Sequence, residues 1–241
     1  MSNPNQFRVG LRLQDAWKSW LREINSIRND SIVKPEDPQA IFIADDTADN
    51  DEVKFDISPV VMRLPERANN KDGNLYVVIK GWISFTGPDF KTLPLKTKSF
   101  GTEVAYFRVK KEVVEHVMGV HYDLDEQILG HPVFHAQIGS NVQAIDIVNE
   151  RFNTQFPACD RMESVLKNVR MPSAQMDFFS VLIQICADHL IQAPISKRSA
   201  KAFKKMNADS GFLIGSAHRM AFLQGPASTC YRSSHWYKAA E

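Results

Sequence analysis

Four of the seven histidines fall within twenty residues, in EHVMGVHYDLDEQILGHPVFHAQIG. Two imidazoles and a carboxylate on facing strands can hold a metal ion or exchange protons with a substrate near neutral pH, where imidazole ordinarily titrates. Side chains alternate along a strand, so Val114, His116, Met118, Val120, Tyr122 and Leu124 form one face, with His121 and Asp123 on the other. On the following strand His131, Val133, His135 and Gln137 share a face. With Glu126 to Gly130 as the hairpin loop, Asp125 faces His131, Asp123 faces Val133 and His121 faces His135. Facing Cβ atoms lie about 5 Å apart, so His121 and His135 can share a proton, a phosphate or a metal, with Asp123 orienting one ring. His131 and His135, about 13 Å apart along an extended strand, cannot chelate one ion. The other reading is structural: these polar side chains hydrogen-bond across the strands and fix the His-Pro turn. No metal site and no cofactor is assigned.

Further on, VRMP (Val169 to Pro172) leads into an apolar helix. The segments YD, HPVFHAQIG (His131 to Gly139) and VRMP together resemble an uncharacterised bacterial family known only as a domain of unknown function, over His121 to Leu190. No activity travels with that resemblance. It implies that His131, His135, Arg170 and Pro172 belong to one arrangement. In it, Arg170 at the start of a helix capped by Ser173 meets an anion with help from the helix dipole. An ion pair of Arg170 with Asp123 or Asp188 is the alternative. The order of helix, four-stranded meander, His-Pro and helices is also similar to the ubiquitin-conjugating fold. The catalytic cysteine of that fold is missing, since the chain near Gly139 to Gln143 offers only Ser140 and Asn141. The likeness therefore implies a non-catalytic binder.

The second chemical feature is basic. In ISKRSAKAFKKM, Lys197, Lys201, Lys204 and Lys205 recur at helical spacing with Arg198 beside them. Later Arg219, Arg232 and Lys238 join Tyr231, Trp236 and Tyr237 in a mixture that can hold phosphates while an aromatic ring stacks on a base. The same residues also suit an acidic protein surface or a solvated face. Asp188 and His189 are helix neighbours pointing about 100° apart, so they form no dyad, and His189 is expected on the last carbonyls of its helix. Ser140 and Ser216 lack a nucleophile elbow, and there is neither a phosphate-binding loop nor a dinucleotide fingerprint.

These residues need a scaffold. Leu13, Trp17, Trp20, Leu21, Ile24 and Ile27 predict an amphipathic helix over 13–28. Asn29 to Asp56 reads as an acidic loop, with one short strand at Ala40 to Ala44. Runs rich in β-branched and aromatic residues at Val53–Leu64, Leu75–Thr86, Lys96–Val109, Val113–Leu124 and Val133–Ile138 are joined by short turns, which predicts an antiparallel meander over 53–139. Met176, Phe179, Ile183, Cys186 and Leu190 predict a half-buried helix with Asp177, Ser180, Gln184 and Asp188 on its polar side. The remainder is a helical part over 142–207 and an irregular basic-aromatic tail over 208–241. The expectation is a single α+β domain, 1–241, with helices packed on one face of the sheet.

The N-terminus shows no secretory signal, no window approaches the roughly 20 apolar residues of a membrane span, and the three cysteines are isolated. These point to a soluble cytoplasmic chain. A net charge of +1 over 241 residues hides a cancellation: Asp30 to Asp56 holds nine acids and two bases, Ala193 to Lys238 eight bases and one acid. The leading expectation is an accessory or binding subunit of a multi-protein complex, engaging nucleic acid or an acidic protein partner through its basic C-terminal region. A genome-defence or toxin–antitoxin setting is what the resemblance implies. The alternative is a phosphodiester-cleaving, toxin-like enzyme with His121 and His135 as base and acid and Arg170 holding the phosphate.

Overall fold

The computed structural model describes residues 4–29, 31–34, 41–45, 51–65, 74–87, 90–110, 113–124, 134–139, 170–191 and 194–215. It is an α+β fold whose helices cover one face of an antiparallel sheet. Helix α1 (Pro4–Ile27) opens nine residues earlier than the periodicity predicted and buries Gln6, Val9, Leu13, Trp17, Trp20 and Ile24. Gln6 is buried because its amide donates to the carbonyls of Asp45 (2.8 Å) and Lys54 (3.4 Å), which ties the helix to the sheet margin.

The strands are β1 (Ile32–Lys34), β2 (Phe42–Ala44), β3 (Glu52–Arg63), β4 (Asn74–Thr86), β5 (Thr97–Lys110), β6 (Val113–Leu124), β7 (Phe134–Gly139) and β8 (Arg170–Pro172). They pair in the order β1-β3-β4-β5-β6-β7-β8, with β2 also beside β3. The sheet therefore extends past the 53–139 limit at both ends: β1 lies in the stretch read as loop, and β8 in the stretch assigned to helices. The eight strands among the described residues include the five runs of the expected meander and the short strand expected at Ala40 to Ala44, with β1 and β8 in addition.

The core lies between sheet and helices. Phe55, Ile83, Phe100, Leu124 and Phe134 point up from successive strands. From above, Trp17 meets Phe178 (ring centroids 5.9 Å apart), Trp20 meets the edge of Phe179 (5.1 Å), and Phe42 stacks on Phe179 (5.8 Å). Offset and edge-on aromatic pairs of this kind add about 0.5–1.5 kcal/mol each beyond the area they bury.

Helix α2 (Phe178–Ile185) begins five residues beyond the predicted Ser173 cap. Its N-cap is Asp177, whose Oδ1 accepts from the amides of Phe179 (3.0 Å) and Ser180 (3.2 Å), and whose Oδ2 accepts from Gln175 Nε2 (3.1 Å) and Ser180 Oγ (3.2 Å). Asp177 is thus buried, not on the polar face; burial pushes its carboxyl up, against the pull of these donors. A π turn (Cys186–Leu190) continues α2. Helix α3 (Lys197–Leu213), capped by Ser196, runs beyond the predicted end at Asn207. Its end is pinned to the start of β5: Leu95 N donates to Leu213 O (2.8 Å), Gly215 N to Leu95 O (2.7 Å) and Thr97 Oγ1 to Gly215 O (3.0 Å).

Candidate functional site

The histidine cluster exists, in a different register. Asp123 pairs with His135, and His121 with Gln137, two residues away from the predicted alignment. Among the described residues the strands pair from Leu124 and Phe134 onward. The effect is to draw the three groups together more closely than the expected pairing does. Asp123 Oδ2 lies 3.0 Å from His121 Nε2, and Oδ1 lies 2.7 Å from His135 Nδ1. The imidazole centroids are 6.4 Å apart. One carboxylate bridges two rings.

The two histidines differ in access. The side chain of His135 is 1% exposed, that of Asp123 27% and that of His121 34%. His135 anchors Asp123 from inside, while His121 stands at the surface. Burial pulls the Asp123 carboxyl upward, but hydrogen bonds to His121 and His135 and the charge on those rings outweigh it and hold it well below the usual carboxylate range. A fixed carboxylate on one ring nitrogen sets the orientation of an imidazole and leaves the other nitrogen for proton exchange.

The cluster sits on the sheet face turned away from the helices, within two lateral rows. One row runs Trp82, Gly101, Asp123, His135 and Pro172 by Cα pairing; the next runs Lys80, Glu103, His121, Gln137 and Arg170. Lys80 and Glu103 form an ion pair at 3.0 Å. Lys54 Nζ lies 5.3 Å from the Trp82 ring. Arg170 therefore belongs to the row of His121, but on strand β8, eight residues ahead of α2. The expected support from a helix dipole does not apply to it.

A β-bulge also corrects the strand faces. Between Tyr106–Met118 and Phe107–His116 the register shifts by one residue of β6. His116 thereby leaves the face of Met118 and Tyr122 and packs on Phe107, with ring centroids 5.3 Å apart.

The basic residues of α3 divide into two groups. Lys205 reaches Glu23 (2.9 Å), Asp209 (3.4 Å) and Ser19 (2.7 Å), and Arg198 reaches Ser26 (3.5 Å), so both face α1. Lys197, Lys201 and Lys204 are exposed on the neighbouring flank and make no ion pair among the described residues. His131, Arg219, Tyr231, Arg232, Trp236, Tyr237 and Lys238, with Ser140, Asn141 and Ser216, lie outside the described residues.

His189, expected on the last carbonyls of its helix, also reaches across to the sheet. Its Nε2 lies 3.2 Å from the Tyr106 hydroxyl on β5, with the rings 5.5 Å apart. Cys186 is buried, and burial pushes its thiol up to about 12, which makes it a poor nucleophile. Among the described residues no three His, Cys, Asp or Glu side chains are placed to hold a metal ion, and no helix is long and apolar enough to cross a membrane.

What the geometry defines is an α+β fold with a meander sheet, carrying a polar band on one face and a basic helical layer on the other. No family model, curated protein or solved structure matches the chain.

Proposed function

We propose that this protein binds the phosphate backbone of a nucleic acid through its helical layer, with α3 as the contact element. The observation that carries the reading is the division of charge on α3. Lys205 and Arg198 are engaged by α1, whereas Lys197, Lys201 and Lys204 share an exposed flank and make no ion pair among the described residues. Two of the five bases, Lys197 and Arg198, also occupy the first turn of α3, which contains no acid. Cations there oppose the helix macrodipole, by roughly 0.3–1 kcal/mol each. A polyanion at that end relieves both the dipole and the like-charge repulsion. Across α1 and α3 together there are nine Lys and Arg against three Asp and Glu.

The bridged carboxylate favours a second reading, in which a nucleic acid is cleaved on the sheet face away from α3, with His121 as the proton-transfer group, Asp123 positioning it and His135 holding Asp123. One experiment addresses both. Fluorescently labelled single- and double-stranded oligonucleotides are titrated with the full chain in low salt, and their lengths are then read on a denaturing gel. The triple variant Lys197→Glu, Lys201→Glu, Lys204→Glu is expected to bind at least about ten-fold more weakly, with unchanged thermal stability. Unchanged affinity in that variant defeats the binding reading, and equal competition by polyglutamate is evidence against it, pointing to an acidic protein surface as the partner. Shortened oligonucleotides that persist in length with His121→Ala support cleavage; intact oligonucleotides with the wild-type chain remove it.

A further inference from the structure

Helix α3 carries one feature that phosphate contact alone does not use. Phe212, in its last turn, is 67% exposed, the most of any large apolar side chain among the described residues. The helix buries Ala202, Met206 and Leu213. Successive helical residues point about 100° apart, so seating Leu213 in the core turns Phe212 out of it. The turn that holds the ring is firmly tied: Leu95 N donates to Leu213 O at 2.8 Å, and Ile214 N to Ser210 O at 2.9 Å.

The ring continues the stripe of outer lysines. At 3.6 residues per turn, Lys201 and Phe212 point within about 20° of one another. Lys197 and Lys204 lie about 40° and 60° to one side of Lys201, and Lys205 and Asp209 about 40° and 80° to the other. Lys205, paired with Glu23 and Asp209, marks the side turned to α1. From Lys204 to Phe212 the helix rises about 12 Å, and the outward residues between them are Ala208 and Gly211, both exposed. A Cβ on Gly211 would meet nothing within 4 Å. No bulky side chain of the helix therefore stands between the outer lysines and the ring, and the stripe contains no acid.

We propose that α3 engages nucleic acid as a single strand, with phosphates on Lys197, Lys201 and Lys204 and a base stacked on Phe212. The inference rests on the phosphate reading of α3 and adds to it the class of strand. Cations that follow the backbone and exposed aromatic rings that take bases are the two components of sequence-tolerant single-strand binding, since every base has a π face. In a duplex each base face is covered by its neighbours in the stack, so the lysines alone hold it. An apolar peptide would also cover a phenyl ring, but it would leave the adjoining lysines unmatched.

The test follows the anisotropy of three labelled ligands titrated with the full chain in low salt: an oligothymidylate, an abasic strand with the same number of phosphates, and a duplex. The wild type is expected to bind the oligothymidylate at least about five-fold more tightly than the abasic strand. Phe212→Ala is expected to weaken oligothymidylate binding by about five-fold or more. It should leave the abasic strand, the duplex and the thermal midpoint unchanged, because the ring is exposed. Phe212→Trp, which keeps an aromatic face, should bind the oligothymidylate as the wild type does. Undiminished oligothymidylate binding by Phe212→Ala, an equal loss on the abasic strand or the duplex, or a Trp variant no better than the Ala variant overturns the inference and leaves the phosphate reading standing. Unchanged binding of all three ligands by the Lys197→Glu, Lys201→Glu, Lys204→Glu variant defeats both.

Discussion

Asp123 is the residue on which the far-face cluster depends, since each of its oxygens meets a different imidazole. Its identity as a partner for the histidines was legible in the sequence: strand alternation alone puts Asp123 beside His121. The exact pairing was not, because a hairpin register is set by the connection, and composition does not reveal where the strands stop pairing. The wrong cap has a similar origin. Ser173 and Asp177 are both good capping types, and only burial, which demands that a capping carboxylate find four donors, distinguishes them. Asp123 also supplies a prediction with a definite sign. A carboxyl whose folded pKa lies below its unfolded value contributes stability that is present above about pH 4 and lost as pH falls through the folded value. Asp123→Asn should therefore cost about 1–3 kcal/mol near pH 6, and the gap to wild type should narrow steadily as acid is added below pH ~4. Urea melts at several pH values measure it; a gap that widens in acid contradicts the assigned cause.

At the scale of elements, the sequence yields strand existence and type readily and bulges poorly. β3 to β7 fall within one or two residues of their predicted limits because alternation, β-branched content and turn residues all agree there. The bulge in β6 leaves no compositional trace, yet it moves His116 to the other face. Short strands such as β1 and β8 have too few residues to show alternation at all. One close approach within the sheet is testable. A Cβ on Gly101 would lie 2.6 Å from Trp82 Nε1, so the indole covers this glycine next to Asp123 in the row. Gly101→Ala should displace the indole and destabilise by about 1–3 kcal/mol, with a shift in tryptophan emission. Gly139→Ala is the control, because nothing lies within 4 Å of a Cβ there; equal loss in both variants means that the Trp82 contact is not the cause. Trp82→Phe should recover part of the loss by removing the indole nitrogen from the Cβ position.

For the whole molecule, the division of charge along the sequence takes a specific spatial form. The described acids of the Asp30 to Asp56 stretch that form ion pairs do so on the sheet, Asp45 with Lys54 and Glu52 with Lys98. Lys205 is taken by Glu23 and Asp209. Among the described residues, then, the acidic stretch does not cap the basic helix, as mutual neutralisation of the two segments would require. As far as the described residues go, the outer flank of α3 keeps its charge, which acts on a ligand within the Debye length of roughly 8 Å at physiological salt. Phosphate binding by such a surface releases condensed counterions, so log K should fall linearly with log salt, by about 0.9 per contacted phosphate on duplex DNA. Replacing Lys197, Lys201 and Lys204 by Gln, which removes charge without adding repulsion, should flatten that slope by up to about 2.7 if each lysine meets one phosphate. Lys205→Gln should instead change the slope little and lower thermal stability, since its partners lie within the fold. Anisotropy titrations from 50 to 200 mM salt, roughly the range in which the effect is largest, distinguish the two variants. If Lys205→Gln flattens the slope as much as the triple variant, then the division of α3 into an inward and an outward flank is wrong.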